Sequence, residues 1–115
     1  MAFNGSEGTF ISLTEGSTLT ERYRADYLSG DAERKALFFG KEKLEDLLAQ
    51  TGCQGLRFYF GAVEKTDSGK TWTELELVIV GADANENDQL GANHKILDSG
   101  RPCPPDCSTA NALNS

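Results

Sequence analysis

The stretch that decides the fold runs from Gly55 to Gly81 and reads GLRFYFGAVEKTDSGKTWTELELVIVG. Two segments of alternating apolar and polar residues flank a polar segment, EKTDSGKT, that has the composition of a turn. Alternation with period two is typical of a β-strand with one apolar face. The apolar positions of the two segments are Leu56, Phe58, Phe60 and Ala62, then Leu75, Leu77 and Ile79. The stretch therefore predicts a long β-hairpin with one buried face.

The turn predicts the register of this hairpin. A two-residue loop at Ser68-Gly69 pairs Phe58 with Ile79 and Phe60 with Leu77. A slip of one residue would set Phe60 opposite Glu76 and turn the wrong face inward. We therefore expect the register to be strongly specified.

Two capping boxes compete for the start of a first helix, at Ser12 to Glu15 and at Thr18 to Glu21. Ser29 to Asp31 predicts the end of the helix. A narrow apolar stripe at helical spacing is typical of a core-facing side. It consists of Leu19, Tyr23 and Tyr27.

A short buried strand over Ala36 to Phe39 and a second helix over Lys41 to Gln50 follow. Gly40 is an acceptable N-cap, and Gly52 can adopt the left-handed conformation that ends a helix. The predicted inner face of this helix consists of Leu44, Leu47 and Leu48.

The order of elements predicts the fold class. After a polar loop, residues 94–98 read as a last short strand. We expect a single small α+β domain with a mainly antiparallel sheet of three or four strands, two helices on one face, and an extended Pro/Cys tail. The predicted boundaries are a loose segment at 1–9, the domain at 10–98 and the tail at 99–115.

The charge excludes two classes of partner. The net charge is −7, from 18 acidic and 11 basic residues, and the basic residues are scattered. Nucleic acids and anionic membranes both require clustered Lys and Arg, so we expect neither as a partner. The longest apolar run, Leu77 to Val80, is far too short to span a membrane, and the first ten residues do not resemble a secretory signal. The cytoplasm is therefore the expected location.

The cysteines leave three possibilities open. Structural zinc takes four thiolate or imidazole ligands, and Cys53, His94, Cys103 and Cys107 supply that number. Their spacing is unlike that of zinc knuckles, because Cys53 and His94 are far apart. A disulfide between Cys103 and Cys107 is geometrically possible but unusual in a reducing compartment. The third possibility is free thiols in a proline-stiffened tail.

Two other constellations have simpler explanations. Cys53, His94 and Asp98 could form a Cys-His-Asp set, but a buried cysteine packing as a small hydrophobe explains Cys53 better. Asp83-x-Asn85-x-Asn87 imitates the start of a calcium loop and then departs from it, so an Asn/Asp turn is the better interpretation. We predict no calcium site and no catalytic residue.

One face of the hairpin is charged. It carries Arg57 and Tyr59 on the first strand and Glu74 and Glu76 on the second. Such a face is either a solvated, charge-matched surface or a docking face on which an Arg and Tyr pair holds a partner. Pro104 and Pro105 stiffen the tail, which could lie across its own domain or a neighbour's. These six residues are the candidate partner-binding residues.

Three segments, LLAQTGCQGLRFYFG, LVIVGADANENDQ and RPCPPDC, resemble a group of small uncharacterised bacterial proteins. The shared order is a helix ending in Leu-Ala-Gln, Gly-Cys, an aromatic strand, a Val-Gly strand end, an Asn/Asp loop and Cys-Pro-Pro-x-Cys. The resemblance covers roughly residues 36–107 and implies no activity. It does imply that the three cysteines belong to one set.

We therefore expect a non-enzymatic interaction or assembly module that forms homo-oligomers or joins a larger protein assembly without a cofactor. The sequence contains no phosphate loop, dinucleotide fingerprint or nucleophile elbow. The alternatives are a structural zinc module and a small cysteine hydrolase.

Overall fold

The computed structural model describes residues 2–29 and 33–114. In chain order its elements are α1 (Leu13–Tyr27), β1 (Ala36–Phe38), α2 (Lys41–Leu48), β2 (Cys53–Asp67), β3 (Lys70–Asp83), β4 (Ile96–Leu97) and β5 (Arg101–Cys103). One antiparallel sheet has the order β2-β3-β4, and a second pairs β1 with β5. The predicted α+β class with a three-stranded antiparallel sheet is confirmed.

The chain divides into two compact units. The first consists of Met1–Glu7 and Phe39–Gly100, and the second of Gly8–Phe38 and Arg101–Ser115. The first unit therefore contains α2 and the three-stranded sheet, whereas the second contains α1 and the two-stranded sheet. None of the helices in the described part of the chain combines the length and the apolar character needed to cross a bilayer.

The predicted register of the hairpin is confirmed. Phe58 lies opposite Ile79, and Phe60 lies opposite Leu77. Ser68 and Gly69 have φ angles of 53° and 78°. A two-residue loop of type I′ requires positive φ at both central residues, so this turn matches the right-handed twist of the strands it joins.

The core of the first unit lies between α2 and the start of the hairpin. Leu47 of α2 is 1% exposed and Ile79 of β3 is 0% exposed. Gly40 is the N-cap of α2, as predicted, and Gly52 has the predicted positive φ, at 81°. The helix ends at Leu48, two residues before the predicted end.

The prediction that one whole face of the hairpin is buried is wrong. Phe58 is 48% exposed and Phe60 is 86% exposed. The reason is length, because the eight residues of α2 span about 12 Å whereas the fifteen residues of β2 span about 50 Å. The helix covers one end of the sheet only. Leu48, which was predicted to face inward, is also exposed.

Helix α1 of the second unit begins at the first of the two predicted capping boxes. The Ser12 hydroxyl accepts a hydrogen bond from Glu15 N–H at 3.1 Å, and the Glu15 carboxylate accepts from Ser12 N–H at 3.3 Å. The helix ends at Tyr27; Gly30 and Asp31 of the predicted stop signal lie outside the described residues.

The predicted core role of the α1 stripe is wrong for two of its three residues. Leu19 and Tyr27 are exposed, and Tyr27 stacks on the half-buried Tyr23 with ring centroids 5.2 Å apart. The contact recorded for this helix is with the C-terminal segment of the same unit, where the Arg24 guanidinium donates to Leu113 O.

The second sheet joins distant parts of the sequence. Ala36 pairs with Cys103 and Phe38 with Arg101, and Lys35 N–H donates to Cys103 O at 2.8 Å. The segment was predicted as a buried strand. It is a strand, but Phe38 is exposed and Leu37 is only half-buried, because a two-stranded ribbon leaves most of its surface open.

Candidate functional site

The long hairpin presents two chemically different faces. We call the side that carries Phe58, Phe60, Ala62, Leu75 and Leu77 the apolar face. Leu75 and Leu77 are half-buried, and the two phenylalanines are exposed beyond the reach of α2. Cross-strand partners share a face, so the register itself creates this surface.

The opposite side, which we call the charged face, carries the four hairpin residues predicted to bind a partner. Arg57, Tyr59, Glu74 and Glu76 share it, because Gly61 lies opposite Glu76 and Val63 opposite Glu74 in the ladder. The expected placement on one face is therefore present. Their role in docking stays a prediction.

Asp88 ties the two candidate residues of β2 to the loop after β3. Its carboxylate forms an ion pair with the Arg57 guanidinium and accepts a hydrogen bond from the Tyr59 hydroxyl. Arg57 also donates to Glu86 O at 3.3 Å and lies 5.3 Å from the centre of the Phe3 ring. The cluster fixes the loop against the strand.

The cluster shifts the titration of its members. The Tyr59 hydroxyl bond, with the Arg57 charge, holds the pKa of Asp88 below its ordinary value. The bond to the Asp88 carboxylate raises the pKa of Tyr59, because ionisation would remove the donated proton and set two negative charges together. The same carboxylate raises the pKa of Arg57. All three groups therefore stay in their bonded forms at neutral pH.

The glutamates of the charged face also have partners. The Trp72 indole N–H donates to Glu74 Oε2 at 3.1 Å, and Leu77 N–H donates to Glu76 Oε1 at 3.1 Å. The charged face thus satisfies its own groups, which favours a solvated, self-paired surface. On the apolar face, by contrast, Phe58 and Phe60 remain exposed to solvent.

A cavity of about 230 Å³ lies where the N-terminal segment meets the start of β2. Phe3 N–H donates to Ala84 O at 3.0 Å and anchors that segment. The Glu7 carboxylate accepts from Asn4 N–H at 2.9 Å and from Gly5 N–H at 3.0 Å, and these bonds lower the pKa of Glu7. The charged groups of the cavity are thus engaged with the protein itself. Its lining consists of Phe3, Gly5, Glu7, Gln54, Gly55, Leu56, Arg57 and Ala82.

Cys103 and Cys107 form a disulfide, with their Cα atoms 4.7 Å apart. Cys103 is buried and Cys107 is exposed, and Pro104 and Pro105 lie between them. Disulfides persist mainly in oxidising compartments, so this bond counts against a reducing location. The cytoplasmic location stays a prediction.

The disulfide bears on the zinc hypothesis. A zinc ligand must be a thiolate, and two of the four predicted ligands are bonded to each other here. Residues 2–29 and 33–114 contain no group of three or more His, Cys, Asp or Glu side chains that could hold a metal ion. Zinc binding by Cys53, His94, Cys103 and Cys107 would therefore need the reduced protein, and it stays a prediction.

Cys53 and His94 each have a local hydrogen-bond partner. The Cys53 thiol is free of a disulfide, is half-buried and donates to Gly55 O at 3.1 Å. His94 Nδ1 accepts from Gly91 N–H at 3.2 Å. Neither bond joins the two side chains in the way a Cys-His-Asp set requires. The hydrolase alternative gains no support from these contacts.

The loop that imitates a calcium site is an Asn/Asp turn, as interpreted. Asp83 Oδ1 accepts from Asn85 N–H at 2.9 Å and from Asn87 N–H at 3.0 Å. The carboxylate therefore caps its own loop, which is what short polar side chains do in turns.

The sequence does not predict the buried polar contact around Gln89. Gln89 is buried, and its side chain accepts from Gln50 Nε2 at 3.2 Å and donates to Thr51 O at 2.9 Å. Gln50 in turn accepts from Lys95 N–H at 2.8 Å. These bonds join the end of α2 to the loop after β3. Gly81 was the available signal, because a glycine inside a strand often marks a close approach.

Comparison of the chain with protein-family models, with curated proteins and with solved structures gives no match. The resemblance to small bacterial proteins with a C-terminal Cys-Pro-Pro-x-Cys stays a prediction.

Proposed function

We propose that the protein is a non-enzymatic interaction module that associates with itself through the hairpin. The observation that carries the proposal is the exposure of Phe60, at 86%, on an ordered strand beside the half-exposed Phe58. A contiguous exposed apolar surface marks interaction sites in soluble proteins. The charged face supports the same choice, because its groups are already paired within the chain.

Light scattering after size-exclusion chromatography tests the proposal. We expect the mean mass to rise from monomer towards dimer as the loaded concentration increases. Association through the apolar face should persist in about 1 M NaCl, where charge interactions are screened beyond roughly 3 Å. A mass that stays monomeric at every concentration would refute self-association.

The salt dependence separates the two faces. If the dimer forms at low salt and dissociates in 1 M NaCl, docking by Arg57, Tyr59, Glu74 and Glu76 is favoured over docking by the apolar face. Because aromatic contacts do not depend on charge, and because salt screens the repulsion between two copies of net charge −7, we expect the association constant not to fall in 1 M NaCl.

A further inference from the structure

Among the described residues, the outer edge of β2 has no strand partner over residues 56–63. In the sheet order β2-β3-β4, β2 is outermost, and within residues 2–29 and 33–114 the main chain of its middle part, residues 56–63, pairs with β3 alone. Edge strands are normally blunted by proline, bulges or exposed charges. This segment has no proline, its ladder shifts only at Cys53/Gly55, and its single charge, Arg57, is held by Asp88.

The turn fixes which backbone groups of β2 point outward. In a two-residue hairpin, the residues that flank the loop, here Asp67 and Lys70, form a hydrogen-bonded pair, and bonded and non-bonded pairs then alternate. Odd-numbered residues of β2 therefore bond to β3. The N–H and C=O groups of Phe58, Phe60 and Ala62 point away from the sheet, so the residues with outward backbone groups are also those of the apolar face.

We propose that this edge pairs antiparallel with the same edge of a second copy of the chain, about a two-fold axis at Tyr59. This proposal rests on the proposed function and gives its geometry. Phe58 then lies opposite Phe60 of the second copy, and Leu56 opposite Ala62 of the second copy. Two three-stranded sheets become one sheet of six strands.

The pattern of side chains selects this partner and this register. Every pair on the apolar side between residues 56 and 62 is then apolar, and it includes two aromatic pairs, which stabilise neighbouring strands more than most others. On the other side Arg57 lies opposite Gly61, so no like charges meet. Moving the axis to Gly61 would set Arg57 opposite Lys65 and lose both aromatic pairs. The segment is therefore complementary to itself.

The exposed area limits the strength of the interaction. From their exposed fractions, Phe58 and Phe60 together expose roughly 270 Å² per copy, taking about 200 Å² for each phenylalanine, and edge pairing buries only part of this because the face of the sheet stays open. Stable interfaces bury about 1,200–2,000 Å² in total, so this dimer belongs to the weak class. We expect it to form at about 100 μM and to dissociate on dilution to a few μM.

Amide hydrogen exchange of the unmodified protein tests the geometry. The amides of Phe58, Phe60 and Ala62 should exchange about threefold more slowly at 500 μM than at 5 μM, because roughly a quarter of the chains are still monomeric at the higher concentration. The amides of Tyr59 and Gly61 bond to β3 and should be protected equally at both concentrations. A dimer by light scattering whose Phe58, Phe60 and Ala62 amides exchange at one rate throughout would overturn edge pairing while leaving self-association intact. A protein that is monomeric at 500 μM would overturn both.

A cysteine at the proposed axis gives an independent test. Residues facing each other across a non-bonded antiparallel pair have Cα atoms about 4.5 Å apart, within the range of a disulfide. In a Cys53→Ser background, Tyr59→Cys should form a covalent dimer on mild oxidation. The matched control, Val63→Cys, lies about 27 Å from its symmetry mate and should not. Equal cross-linking of both variants, or of Val63→Cys alone, would exclude the axis at Tyr59.

Discussion

Phe58 lies directly opposite Ile79 in the β2–β3 ladder, yet Ile79 is fully buried whereas Phe58 is half exposed. The two side chains share one face of one sheet, so the area that α2 covers ends between them. Farther along the same face, Phe60 is 86% exposed. These exposed phenylalanines supply the aromatic cross-strand pairs of the proposed association.

Gly81 should tolerate no side chain. A Cβ atom there would lie 2.4 Å from Gln89 Oε1 and 2.9 Å from Gln50 Nε2. Gln89 cannot withdraw without losing its bond to Thr51 O. We expect Gly81→Ala to lower the free energy of unfolding by about 1–3 kcal/mol, measured by urea denaturation. Gly55→Ala, where no atom lies within 4 Å, is the control; equal losses at both positions would contradict the packing described here.

The hairpin turn should depend on positive φ at Gly69. Its φ of 78° places an L side chain in a strained region, so we expect Gly69→Ala to cost about 1–2 kcal/mol of unfolding free energy. Gly69→Asn should cost less than half of this, because asparagine visits left-handed backbone more readily. Thermal denaturation of the two variants measures the difference. If alanine proves as stable as asparagine, backbone strain is not what selects glycine here.

Asp88 should contribute to stability in a pH-dependent way. Its folded pKa lies below the unfolded value of about 3.9, so its contribution is complete above that pH and is lost as the pH falls through the folded pKa. Wild type should therefore exceed Asp88→Asn in stability above about pH 5, and the difference should shrink below pH 4. Urea midpoints across pH 2.5–7 measure it. Tyr59→Phe, which lacks the hydroxyl that bonds to Asp88, should lose part of the same pH-dependent stability. If both variants are as stable as wild type at every pH, the cluster does not hold the loop.

The three cysteines should differ in their reactivity towards an alkylating reagent. The chain has three cysteines, and two of them form the disulfide between Cys103 and Cys107. Alkylation of the unfolded protein without reductant should therefore add one label per chain, at Cys53, and after reduction it should add three. Intact mass and peptide mapping give the count. Three labels without reductant would show that the tail thiols are free and would return the zinc hypothesis to consideration.

The parts of the fold that sequence alone predicts are those set by neighbouring residues. Ser68-Gly69 and the period-two pattern determine the hairpin register, because turn geometry and side-chain alternation are local. The start of α1 at Ser12 and the N-cap of α2 at Gly40 are local in the same sense.

The parts that were missed depend on residues far apart in the chain. Nothing near Ala36 indicates that it pairs with Cys103, and nothing near Arg57 indicates that Asp88 neutralises it. Burial is also non-local: the pattern around Phe60 predicts an apolar face, but only the length of α2 determines how much of that face is covered. The apolar side therefore could be predicted, and its exposure could not.

In the proposed dimer, the open aromatic edge of the hairpin holds two copies together. Sedimentation velocity of wild type, Phe60→Ser and Leu90→Ser over the same concentration range tests it most directly. Leu90 is an equally apolar, 60% exposed residue in the loop after β3, so its substitution controls for a general loss of surface hydrophobicity. We predict a dimer for wild type and Leu90→Ser, and at least a tenfold weaker association for Phe60→Ser. Equal association of all three proteins would contradict the account.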